Sequence, residues 1–199
     1  MSNPPRICKP NLTYHVYSRC IEKKDLMKPI KMKDLLIRVM KMAEEKYIFN
    51  LILFAIIDNH FHFFIQTVEG GATISRIMQF VKSQYARRYN KMMNRTGPFW
   101  NERFGDTIIE YVNDPESLFF HIFCYIGFNP VRKGYVNDPR DYEYSSYKCY
   151  FDETYVPPIK ITFHKYFLNL GNTFKEQVHK FLEYEEMYRK RIFPESLYT

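Results

Sequence analysis

The chain has 199 residues, 46% of them apolar and 18% aromatic, which is enough to bury the core of one domain and excludes disorder over most of its length. Its 29 Lys and Arg against 22 Asp and Glu leave a formal charge of +7, a weak lean towards an anionic partner. The most apolar run, residues 48–65, is interrupted by Asn50, Asp58, Asn59, His60 and His62 and is excluded as a membrane span.

Leu12 to Arg19, rich in Tyr and Val after Pro10, reads as a first strand. Lys31 to Tyr47 follows as a helix, with Leu35, Leu36, Val39, Met40 and Ala43 recurring at three and four residues. Ile48 to Ile57 is a buried strand, Asp58-Asn59 a turn, and His60 to Thr67 the returning arm of a hairpin. Gly70-Gly71 breaks the chain before a second helix, capped by Thr73 and running to Met92. After a loop from Asn94 to Asn101 comes a fourth strand, Phe104 to Val112. A third helix starts at Asp114-Pro115 and ends at Phe128, where Pro130 discourages continuation. A last helix spans Thr173 to Arg191. The order β-α-β-β-α-β predicts an α+β fold: a ferredoxin-like antiparallel sheet with helices on one face, plus a C-terminal helical tail over residues 151–199 packed on the same core.

Cys8, Cys20, Cys124 and Cys149 form no C-x-x-C pair and read as free thiols in a reducing cytosol. The start, Met-Ser-Asn-Pro-Pro-Arg, lacks the pattern of a leader peptide, so the expected location is cytoplasmic.

Side chains two apart on a strand share a face, so His60 and His62 can reach one ion while Phe61 and Phe63 turn to the core. H-x-H by itself does not separate a metal pair from two histidines on a polar strand face. Tyr125 and Asn129 are one helical turn apart on a single face, beside the apolar stripe Phe119, Ile122, Phe123 and Ile126. In a chain with 17 tyrosines, spacing alone favours Tyr125 as one more residue at the core's edge. Taken together the features say more. Two imidazoles and an amide oxygen make an open ligand set suited to Mg²⁺ or Mn²⁺, with Zn²⁺ as a competitor. A tyrosine one turn before a ligand stands beside whatever the ion polarises. His121, a further turn back, fits a structural role better than a proton shuttle.

Between Gly71 and Arg95 lie Arg76, Lys82, Arg87, Arg88, Lys91 and Arg95, with no Asp or Glu. A solvated helix face mixes signs, so a one-signed helix is better explained by a polyanion. Arg103 can hold a phosphate. Trp100 can stack on a base or anchor the core, and the sequence favours neither.

These residues carry a resemblance. The stretch Ala55-Ile-Ile-Asp-Asn-His-Phe-His-Phe-Phe-Ile-Gln66 resembles the histidine strand of the single-tyrosine HUH transposases, with Ile57-Asp58 where that family has Met-Pro. Tyr14-His-Val-Tyr-Ser-Arg19 is similar to its opening strand, where Gly is common at the position of Cys20. Gly97-Pro-Phe-Trp-Asn-Glu-Arg-Phe104 is similar to its Trp-containing loop. Tyr125-Ile-Gly-Phe-Asn-Pro-Val-Arg-Lys-Gly134 and Asp141-Tyr-Glu-Tyr-Ser-Ser-Tyr147 resemble its tyrosine helix and the motif after it. The Asn-Pro-Val-Arg form resembles the bacterial branch associated with repetitive extragenic palindromes (REP).

The resemblance implies a catalytic domain over residues 1–150, with His60, His62 and Asn129 holding Mg²⁺ or Mn²⁺ and Tyr125 as nucleophile. It implies single-stranded or hairpin DNA as partner, held by Arg19, Lys82, Arg87, Arg88, Lys91, Arg95, Trp100 and Arg103. It also implies a 5′-phosphotyrosine intermediate, no organic cofactor, no membrane, and a monomer or homodimer at the nucleoid. The competing expectations are a catalytically silent regulator that grips hairpin nucleic acid and, more weakly, a zinc hydrolase, for which no acidic ligand cluster is evident.

Overall fold

The computed structural model describes residues 7–193; residues 1–6, read above for a leader, and 194–199 of the tail lie outside the described residues. In chain order the elements are β1 (Thr13–Arg19), α1 (Ile30–Lys46), β2 (Asn50–Ile56), β3 (His60–Gln66), α2 (Ile74–Met92), β4 (Gly105–Ile108), α3 (Pro115–Gly127), α4 (Asn129–Arg132), α5 (Lys165–Leu168) and α6 (Phe174–Ile192). The strands form one antiparallel sheet in the order β2-β3-β1-β4, the ferredoxin-like arrangement.

Local chemistry sets the ends of the long helices. Thr73 Oγ1 accepts the Arg76 N–H, and Asp114 Oδ1 accepts the Ser117 N–H with Pro115 in the first turn of α3. Thr173 and Glu176 form a reciprocal capping box at α6. Such caps contribute about 1 kcal/mol each. β4 is shorter than expected: residues 109–111 turn into a 3₁₀ helix, and the Glu110 carboxylate swings back to accept the Thr13 N–H at 2.9 and 3.0 Å. That acceptor replaces the strand carbonyl that a longer β4 would have offered.

α1 and α2 cover the sheet face bearing Tyr14, Val16, Phe61, Phe63 and Ile65, through Leu36, Val39 and Met40 on α1 and Ile77, Met78 and Val81 on α2. The opposite face, with Leu53, Ala55 and Phe64, is covered as well, by Phe119, Phe123 and Ile126 of α3 and by Phe181 and Tyr188 of α6. Helices on one face therefore describes α1 and α2, and a second layer completes the other side. The reason lies in α3, which buries Phe119, Phe120, Ile122, Phe123, Cys124 and Ile126 and so is apolar around most of its circumference. A helix of that kind needs partners on more than one side, and α6 is the second. Gly127 lies against the Tyr147 ring, in space that a Cβ would occupy. Tyr147 in turn donates its hydroxyl to the buried Glu185 carboxylate of α6 at 3.0 Å. The outer edge of β2 is closed by chain pairing, Ile56 N–H to Tyr144 O and Ser146 N–H to Phe54 O.

Candidate active site

His60 and His62 leave β3 on the face opposite Phe61 and Phe63, as period-two alternation requires. The register sets Arg19 of β1 opposite His60 and Tyr17 opposite His62, so His15, Tyr17 and Arg19 share that face. α3 crosses it and presents Tyr125, whose ring centroid lies 5.4 Å from that of His62 and 5.9 Å from that of His15.

α3 ends at Gly127 with Phe128 as its cap, within one residue of the end the sequence predicts. The backbone stays near the helical region there: Phe128 (φ −82°, ψ −1°) leads directly into the one-turn α4, with Pro130 in its first turn, where a missing N–H leaves no hydrogen bond unmade. That extra turn, which the sequence reading did not foresee, matters for the site. Asn129 is delivered onto His62, its amide N–H donating to Nε2 at 3.2 Å. Arg132 returns to the same side, with its guanidinium 5.3 Å from the Tyr125 ring centroid.

The three imidazoles are nearly sealed, with 6, 5 and 3% exposure for His15, His60 and His62. Burial pushes His15 down to about 4. Burial, followed by the charges of Arg19 and Lys133, brings His60 down to about 4. Burial, then the neighbouring His15 and His60, then Arg19 and Arg132, holds His62 well below its ordinary value. The rings are therefore neutral donors and acceptors at physiological pH, beside cations that they do not neutralise. These groups open into a cleft of about 1080 Å³ that also takes in Arg103 and His121.

Among the described residues no three His, Cys, Asp or Glu side chains converge so as to hold an ion. A third ligand for the His60–His62 pair must then come from another residue type. Asn129 supplies one: it is 5% exposed, and its Oδ1 is a buried acceptor with no hydrogen-bond partner. An orphaned acceptor costs roughly 1–3 kcal/mol unless something occupies it. Two neutral imidazoles and a free amide oxygen fit a divalent cation that keeps water or phosphate oxygens in its remaining positions.

Arg19 and Arg103 lie in this cleft with Tyr125. The remaining members of the expected DNA-binding set sit elsewhere, on or beside α2 behind the sheet. Arg87, Arg88 and Lys91 are exposed there. Arg95 braces the following loop, donating to the Pro98 carbonyl at 2.9 Å. Lys82 lies 5.6 Å from the Trp100 ring centroid. Trp100 donates its indole N–H to the Lys82 carbonyl at 2.9 Å and sets its ring at right angles to Phe61, 5.3 Å between centroids, so it anchors the core.

Three residues at the site escaped the sequence reading: His15, Arg132 and Lys133. Arg132 stands seven residues beyond Tyr125, a helical repeat that becomes visible once Pro130 is allowed inside the helix. His15 depends on the β1–β3 register, which no loop length fixes because α1 and β2 intervene.

The family described as IS200-like transposases matches residues 8–116, a span that carries both histidines and stops short of Tyr125. A Haemophilus influenzae protein assigned as a REP-associated tyrosine transposase is 28% identical over 116 residues, which is 54% of this chain and 64% of that protein. A solved structure of a REP-associated tyrosine transposase bound to a REP hairpin superposes with a TM-score of 0.62 at 17% identity, over 83% of this chain and 96% of that one. At that identity the likeness is one of fold.

Proposed function

Because this chain belongs to the IS200-like transposase family, we propose that it is a metal-dependent, single-stranded DNA endonuclease and strand transferase of the REP-associated branch, with Tyr125 as nucleophile and hairpin DNA as substrate. The observation that carries the reading is the meeting of Tyr125 and two neutral imidazoles in one cleft with Arg19 and Arg103, with Asn129, its oxygen unpaired, buried against His62. His60, His62 and Asn129 would hold Mg²⁺ or Mn²⁺, which when bound supplies charge neutralisation at a phosphodiester.

Arg19 and Arg103 hold the DNA strand's phosphates in the cleft, and Arg132 keeps the Tyr125 ring on the cleft side of α3. The Tyr125 oxygen attacks the scissile phosphorus. A new P–O bond to tyrosine forms as the bond from phosphorus to the 3′ oxygen breaks. The electron pair stays with the 3′ oxygen, which gains a proton as the phenol loses one. A 5′-phosphotyrosine and a free 3′-OH result. One phosphodiester replaces another of similar energy, so a second 3′-OH reverses the step and joins strands without a nucleotide cofactor. Arg87, Arg88 and Lys91, on the far side of the sheet, would grip the hairpin rather than the cut phosphate.

Intact mass after incubation with Mg²⁺ or Mn²⁺ and single-stranded hairpins from DNA flanking the gene tests this. A covalent adduct is expected on the native protein and none on Tyr125→Phe, which should still bind DNA. No adduct together with tight, salt-sensitive binding would make the protein a silent hairpin binder. Neither adduct nor binding would defeat both readings.

A further inference from the structure

A neutral imidazole carries one N–H and one lone pair, and which nitrogen has which decides whether the ring can ligate an ion from a given side. Two contacts on the ring edges turned away from the candidate ion site make that choice. His60 Nδ1 lies 2.6 Å from Asn59 Oδ1. The orientation of the Asn59 amide is itself fixed, because its nitrogen donates to the Lys23 carbonyl at 3.1 Å and to Asp25 Oδ1 at 3.0 Å. The atom facing His60 is therefore an acceptor, and His60 must hold its proton on Nδ1. His62 Nδ1 lies 2.9 Å from His15 Nε2, while its own Nε2 receives the Asn129 amide N–H. The lone pair of His62 is then on Nε2, the proton is on Nδ1, and His15 Nε2 accepts it.

We propose that Asn59 and His15, neither of them a ligand, are positioning residues that lock His60 and His62 in the same Nδ1–H tautomer and so turn both Nε2 lone pairs towards the ion site. Its consequence for metal affinity rests on the ion-binding role given to that pair above. Polar partners of this kind raise ligand basicity and fix ring orientation, and losing one typically costs about 10–100-fold in metal affinity. Asn59 is suited to its task because Lys23 and Asp25 satisfy its donors. His15 is suited because its Nε2 lies 2.9 Å from His62 Nδ1, on the ring edge away from Asn129.

Long-range ¹H–¹⁵N correlation spectra of the metal-free protein near neutral pH read the tautomers directly. His60 and His62 should each show a protonated Nδ1 and a bare Nε2. In an Asn129→Leu background, where no donor faces Nε2 any longer, His15→Leu should move His62 towards the Nε2–H form and leave His60 unchanged, whereas His15→Gln, which keeps an acceptor, should restore the native pattern. Asn59→Leu should shift His60 alone. An Nε2–H signal at either ring in the unaltered protein, which needs no variant to fold, overturns the proposal; so does an unchanged pattern in both leucine variants. Mn²⁺ titration followed by paramagnetic resonance, with Asn129 in place, should show about 10–100-fold weaker binding in His15→Leu and Asn59→Leu and near-native binding in His15→Gln. Equal Mn²⁺ affinity across all of them overturns the positioning role. Tautomers that shift as stated in a protein that never binds Mn²⁺ would support the locks and defeat the ion-binding reading instead.

Discussion

β3 separates two environments that are equally dry and held together differently. Phe61, Phe63 and Ile65 turn towards α1 and α2, while His60, His62 and Phe64 turn towards α3. On the first side cohesion follows buried area, about 1.5–3 kcal/mol for a side chain such as Phe, and it has no preferred direction. On the second side the imidazoles are just as inaccessible, but each holds its place by a particular atom: His60 by Asn59, and His62 by His15 and Asn129. Volume defines one face and direction the other. A substitution that conserves volume should spare the first face and disable the second.

Paired truncations give the sharpest break. Phe63→Ala should cost about 3–5 kcal/mol of stability through the cavity it leaves, read from urea unfolding midpoints, and should impair cleavage only as far as it unfolds the protein. His60→Ala should do the reverse. It should cost less stability, about 1–3 kcal/mol for the hydrogen bond it loses, and lower adduct formation per folded molecule by on the order of 10²-fold or more, since an ion's charge stabilisation is worth several kcal/mol. Equal effects of the two on cleavage per folded molecule would dissolve the contrast.

A smaller effect is expected behind the apolar face. Replacing Arg87 and Arg88 together by Gln should flatten the slope of log affinity against log salt by about 1.4 to 1.8, and leave adduct formation at saturating DNA unchanged. An unaltered slope would mean that α2 faces no nucleic acid.

The smallest effect concerns acid. His164 sits under α3, stacked on Phe119 with 4.5 Å between centroids and 3.3 Å from Thr13 Oγ1, and burial followed by Lys165 lowers it to about 4. Its folded-state pKa lies below its unfolded one, so between about 6.5 and 4 the unfolded chain binds the extra proton. The contribution of His164 is complete above about 6.5 and disappears as pH falls towards 4. His164→Gln should therefore show a shallower loss of stability over that window, by up to about one bound proton in the slope. A slope identical to that of the unaltered protein would place the acid sensitivity elsewhere.

The sequence carried much of this plan because its signals were local. Element order, the Thr73, Asp114 and Thr173 helix starts, the H-x-H pair and the Tyr125–Asn129 spacing all depend on residues a few positions apart. What it hid depends on distance in the chain. His15 joins the site through a register across 47 positions. The far-side placement of Arg87 and Arg88 follows from which sheet face α2 covers, and charge alone cannot say that. Trp100 showed no preference between base and core until its indole N–H met the Lys82 carbonyl. Asp58, which the sequence offered only as a turn residue, finds a further role against α1: Lys33 pairs with it at 2.7 Å and also donates to the Tyr142 hydroxyl at 3.2 Å.

Gly127 lies between Tyr125 and Asn129, and Tyr147 fills the space a side chain there would claim. A side chain at 127 would run into the Tyr147 ring, so the ring or the helix must shift, and a shifted helix would carry Tyr125 and Asn129 away from the histidines together while leaving every side chain of the proposed site intact. A lineage descended from such a transposase can thus fall silent by a change of one codon, with His-x-His, Tyr and Asn all still legible in its genome. Inventories of living and extinct mobile elements that score those four residues would count it among the living; scoring the glycine as well would not.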